Sequence, residues 1–137
     1  MKRVFFDTDP GYNCLRIESP NAQGKFLAVL PPSATDTRLM DDSEIPTDRT
    51  FRNAWVTSNG KIEHDIAKCK VIAHDKRRAM RAAELAPLDD IIAKQIPGNN
   101  PQQVESQRQA VRDKYTAMQA AIDAAQDVAA IKAAIGL

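Results

Sequence analysis

Two histidines each stand directly before an aspartate, His64-Asp65 and His74-Asp75, the pairing that acid/base or metal chemistry would draw on. They are ten residues apart, which on a continuous helix is about 15 Å of rise and roughly 80° of direction. One helix therefore cannot bring both to one metal, and each histidine is expected at the surface. Asp89-Asp90 has the charge for Mg²⁺, but no further carboxylate stands near it in sequence, so the pair reads as helix-start chemistry. Asp7-Thr8-Asp9 has the alternating acids of a calcium loop, yet Pro10 and Gly11 follow where more oxygen ligands belong. Cys14 and Cys69 lack a CxxC spacing or a nearby histidine partner, which argues against a zinc or disulfide framework. HExxH, GxSxG and a glycine-rich phosphate loop do not occur. The chain is expected to be no enzyme, with no catalytic residue, no cofactor and no metal site.

Lys76-Arg77-Arg78 with Arg81 is the strongest basic cluster. On a helix its four charges spread over more than one face, and Asp75 and Glu84 stand ready to pair with them, so a solvated helix surface is the expected reading. The whole-chain net charge of +1 supplies no field for nucleic acid, which is not an expected partner. Trp55 and Phe51 form the richest aromatic point of the chain, and side chains of that size anchor a core or an interface.

These residues need elements to carry them. Lys2 to Phe6, Cys14 to Ile17 and Lys25 to Leu30 are short apolar or alternating runs separated by Asp9-Pro10-Gly11 and Ser19-Pro20-Asn21 turn chemistry. They predict a small antiparallel sheet of three strands. Pro31-Pro32 ends the third run, and residues 33 to 47 read as loop with a solvated acidic turn at Asp41-Asp42-Ser43-Glu44. Ser58-Asn59-Gly60 between two β-prone segments predicts a tight hairpin.

Asp65 is placed to cap a helix that runs through Ile66, Cys69, Ala73, Met80 and Ala83 in steps of four and three, with Lys76 as the interruption. Pro87 is expected to end or kink that helix at Ala86. Asn100 and Pro101 mark the next helix start. Val104, Val111, Tyr115, Met118, Ile122 and Ala125 follow the same spacing, and Arg108 fills the one polar slot. Asp127 caps a short last helix closed by Gly136.

Of the 21 alanines, 17 lie beyond residue 60, so the helices are thin-faced and each contact buries little area. The fold class is α+β: a small antiparallel β-rich docking region over 1–60, then an α-helical hairpin arm over 61–137 with two long helices and a short terminal one. Phe51, Trp55, Val104, Val111, Tyr115 and Met118 are the candidate protein-interface residues, and self-association into a homo-oligomer is expected.

The stretch Ile45-Pro46-Thr47-Asp48-Arg49-Thr50-Phe51-Arg52-Asn53-Ala54-Trp55 resembles a recurring type of small tailed-bacteriophage protein. Ile62, Asp65, Lys68, Lys76, Arg77, Arg81, Leu88-Asp89, Gln107, Arg112-Asp113 and Ile122-Asp123-Ala124-Ala125 continue the resemblance, which covers residues 45 to 137. Such proteins are encoded among tail and fibre genes and resemble tail accessory or tail-fibre assembly proteins. The resemblance implies a virion-associated structural or accessory protein that works by contact with phage structural proteins of the tail, fibre or head. Its alternatives are a fibre-assembly chaperone absent from the mature virion and a small nucleic-acid-binding phage protein. No site residue is carried over from it. Without an apolar run of about 18 residues, no membrane span is expected, and the implied location is the host cytoplasm during assembly and then the virion.

Overall fold

The computed structural model describes residues 2–8, 11–17 and 35–137. The elements in chain order are strands β1 (Lys2–Thr8), β2 (Gly11–Ile17) and β3 (Thr35–Asp41), the ribbon β4 (Trp55–Ser58) and β5 (Lys61–His64), and helices α1 (Ile66–Lys94), α2 (Pro101–Ala124) and α3 (Val128–Ala134). The expected α+β class stands: antiparallel strands precede two long helices and one short helix. The chain divides into two compact units, Met1–Lys68 and Cys69–Leu137.

In the first unit β1 is the central strand, antiparallel to β2 on one side and β3 on the other. The β1–β3 register shifts between Phe5 and Asp7, so the strand carries an irregularity of the bulge type. The sequence-predicted strand at Lys25 to Leu30 lies outside the described residues, as does Asp9 of the acidic triplet. The observed third strand, β3, falls where a loop was expected. Its Thr-Asp-Thr-Arg-Leu-Met-Asp run has no continuous apolar stretch to announce it. Its extended form rests on pairing with β1 from Lys2–Asp41 to Asp7–Thr35, a long-range partner that local composition does not encode.

The acidic turn after β3 is a single 3-10 turn over Asp42–Glu44, closed by a reciprocal capping box in which the Asp41 amide donates to Glu44 Oε2 at 2.8 Å. Farther on, Asn59 and Gly60 take φ of 48° and 79° and connect Ser58 to Lys61 as a two-residue turn, the geometry that Asn-Gly favours. Met40, Ile45 and Trp55 make a buried cluster with Ile62 packed against it, and Phe51 and Ala54 are buried too. The Asp65 amide donates to Ala54 O at 2.8 Å, and Asp65 Oδ1 accepts the Lys68 amide at 3.1 Å, so one residue ends the ribbon and caps α1.

In the second unit α1 runs unbroken to Lys94 with Pro87 inside it, which corrects the expected break at Ala86. Proline removes one amide and crowds the carbonyl four residues back. Here Pro87 and Ala83 are both exposed, so water can satisfy the freed Ala83 carbonyl. Contacts to α2 on either side of Pro87, at Glu84 and Asp89, hold the helix on course. At its end the Gln95 amide donates to Ile92 O and the Ile96 amide to Ile91 O, both at 3.3 Å. With Gln95 at φ 50°, this is a Schellman closure whose left-handed position is filled by glutamine.

Asn100 Oδ1 then accepts the amides of Gln102 and Gln103 at 2.9 and 3.4 Å, with Pro101 as the first residue of α2. Asp127 Oδ1 accepts the Ala130 amide at 2.7 Å to start α3. The Leu137 amide reaches Lys132 O at 2.9 Å across Gly136 at φ 78°, the same closure with the expected glycine. Ile122, Ala125, Ile131 and Ile135 are all buried, where α2 and α3 meet.

Candidate functional site

Polar pairs join α1 to α2 beside the positions that the two helices bury, Cys69 and Ala73 on α1 and Val104, Tyr115 and Ile122 on α2. From the open end to the tip, Lys70 Nζ donates to Asp123 O at 2.7 Å and His74 Nε2 lies 2.9 Å from Asp123 Oδ1. Glu84 Oε1 accepts from Lys114 Nζ and Tyr115 Oη, both at 2.6 Å. Arg108 Nε donates to Asp89 Oδ1 at 2.7 Å, while its Nη1 reaches Glu105 Oε2 at 2.5 Å. Arg112 Nη1 donates to the other Glu105 oxygen at 2.7 Å. As positions rise along α1 they fall along α2, so the pair is an antiparallel hairpin in one register.

Electrostatics follow this pairing. Hydrogen bonds from Lys114 and then Tyr115 hold the Glu84 carboxyl below the ordinary carboxylate range, and those from Arg112 and Arg108 do the same for Glu105. Burial, then the bond to Glu84, pushes the Tyr115 phenol up. Lys114 also lies 5.1 Å from the Tyr115 ring centroid, a cation–π placement. His74 Nδ1 and Arg77 Nε are buried without a hydrogen-bond partner among the described residues. An arrangement of mutually neutralised pairs fixes how one helix sits on the other.

The structure disperses the sequence-predicted site residues. Phe51, Trp55, Val104 and Tyr115 are buried, so their apolar surface is already covered and is not open to a partner. Of the six interface candidates, Val111 and Met118 keep partial exposure. The stripe proposed for α1 holds through Cys69 and Ala73, which are buried, whereas Met80 and Ala83 face solvent. The helix instead turns Lys70, His74, Glu84 and Asp89 toward α2. Neither histidine is a plain surface residue: His74 meets Asp123, and His64 Nε2 accepts from Trp55 Nε1 at 3.1 Å with the rings edge to face. Sequence reading missed Lys70, Glu84 and Asp123 as seam residues. The signal was a polar stripe at helical spacing, which looks like an ordinary solvated face until a partner helix is placed on it.

Of the basic cluster, Lys76, Arg78 and Arg81 are exposed and Arg77 is half-buried. Arg78 is engaged by Asp75, and an exposed pair of this kind contributes about 0 to 1 kcal/mol. Two open apolar features lie on the arm. A groove of about 450 Å³ at the hairpin tip is lined by Ile91, Ile92, Ile96, Pro97 and Pro101 among others, and a shallow one of about 340 Å³ lies on α1 between Arg78, Arg81, Ala82 and Leu85. Val71, Met80 and Ile96 are large apolar side chains left exposed. Among the described residues no group of three or more His, Cys, Asp or Glu could hold a metal ion, and no helix is long and apolar enough to cross a membrane. Comparison with protein-family models, curated proteins and solved structures found no match.

Proposed function

We propose that this chain is a non-enzymatic structural or accessory protein of a tailed bacteriophage, acting in the tail or its fibres by protein–protein contact. In this reading the β-rich unit docks on a tail, fibre or head component and the helical arm self-associates. The protein works first in the host cytoplasm during assembly and then in the virion. The supporting observation is the open apolar surface of the arm, the tip groove together with exposed Val71, Met80 and Ile96, beside a seam whose charges are spent on one another. Exposed apolar surface of this kind suits partners better than solvent, and the resemblance over residues 45 to 137 supplies the phage context.

Sedimentation of lysate from infected cells, with the chain followed by antibody, tests the proposal. Migration with assembled tails or particles is the expected result. Migration with free fibre subunits alone would replace the virion part with an assembly chaperone. Residence in the slow soluble fractions throughout infection would overturn both.

A further inference from the structure

One flank of α1 carries Val71, Asp75, Arg78, Ala82, Leu85 and Asp89 in strict steps of four and three, and the spacing continues to Ile92 and, just past the helix end, Ile96. That period is the heptad of a helix seam. The flank lies beside the α2-facing side, which Lys70, His74 and Glu84 occupy, and meets it at Asp89, the partner of Arg108. Val71 is 60% and Ile96 41% exposed, and the shallow groove between Arg78, Arg81, Ala82 and Leu85 sits midway between them.

We propose that this flank binds a second copy of itself, antiparallel, about a two-fold axis crossing α1 between Ala82 and Leu85. An isologous contact makes each pairing twice, and one register matches the flank's residues except Asp75, which it sets against Ile92 of the second copy. It sets the small Ala82 against Leu85 of the second copy, so each leucine enters the other chain's central groove. In the same register Val71 lies over Ile96 of the second copy at the tip groove, so two of the large exposed apolar residues cover each other. Arg78 faces Asp89 of the second copy and Arg77 faces Asp90, so the basic stretch of one helix lies along the acidic stretch of the other. A parallel pairing would instead set Arg78 on Arg78 and Asp89 on Asp89.

Within their own chain Arg78 pairs with exposed Asp75, Asp89 with half-buried Arg108 and Asp90 with Lys94. The cross-pairs therefore select orientation more than they add affinity, and the dimer is a weak one that salt loosens.

The inference rests on reading the arm as self-associating, but it is tested on the purified full chain with no phage component present. Light scattering after size exclusion is expected to give the mass of two chains, falling toward one on dilution. Ala82→Arg places a good helix former at an exposed position and adds a charge at the axis. It should raise the dissociation constant at least about tenfold with helical circular dichroism unchanged. Independently of that variant's folding, V71C and I96C proteins, each also carrying C14S, are oxidised separately and as an equal mixture. Disulfide-linked dimers in the mixture and not in either single sample are the expected result.

A wild-type monomer at roughly 100 µM, or cross-linking as strong in the single samples as in the mixture, would overturn the dimer. A monomer that still sediments with particles would remove the dimer and leave the proposed function. A dimer absent from all assemblies would do the reverse.

Discussion

An indole N–H can only donate, so the 3.1 Å bond from Trp55 to His64 Nε2 requires a lone pair on that nitrogen and a neutral imidazole with its hydrogen on Nδ1. Burial also holds His64 below its ordinary value of 6.5. Trp55 is also its cross-strand partner. As pH falls the unfolded chain takes its proton first. The contribution to stability is therefore complete above about 6.5, declines as pH falls through that value, and is gone below the lower folded value. Trp55 is the only tryptophan, so its fluorescence should change at the lower end of this window, where the folded His64 takes its proton and the bond is lost, while the melting temperature falls from the upper end onward. The effect is worth no more than about 1 kcal/mol, and His64→Gln should flatten both pH profiles. A second residue-scale test concerns Gln95, held at φ 50° where glycine is favoured. Gln95→Gly should raise stability by about 0.5–1 kcal/mol in urea unfolding, as Gly136 already does for α3.

At the scale of elements, what was legible in the sequence is what local chemistry decides. The Asn59-Gly60 turn and the caps at Asp65, Asn100, Asp127 and Gly136 each act within a few residues and formed as read. The strand β3 and the true α2-facing side of α1 were not legible, because each depends on a partner distant in sequence. The strand needs β1, and the polar side of α1 needs Asp123, Tyr115 and Arg108. Pro87 misled for the same reason: its local penalty is real, but contacts on both sides outweigh it. Of the six interface candidates, Phe51, Trp55, Val104 and Tyr115 are buried within the chain, since residue size and apolarity do not tell a core from an interface. A seam of ion pairs also has a pH signature. Glu84 and Glu105 ionise more readily in the fold than in the unfolded chain, so their support is complete above the ordinary carboxylate range and is lost as pH falls below about 4.5. Helical circular dichroism should therefore melt at lower temperature near pH 3 than at pH 7. Glu84→Gln should narrow that difference, and added salt should narrow it further.

For the whole molecule, the chain divides into two compact units between Lys68 and Cys69. One is a strand-built unit with a Met40, Ile45 and Trp55 core; the other is a helical arm whose seam is polar and whose outer surface is partly apolar. The proposed contact function stands on the exposed apolar side chains of that arm, Val71, Met80 and Ile96. On the proposed phage reading, quantitative mass spectrometry of infectious particles tests it most directly. The account predicts peptides from both units at a constant copy number relative to a tail protein. Absence from those particles, while the chain is abundant in the infected cells, would contradict it.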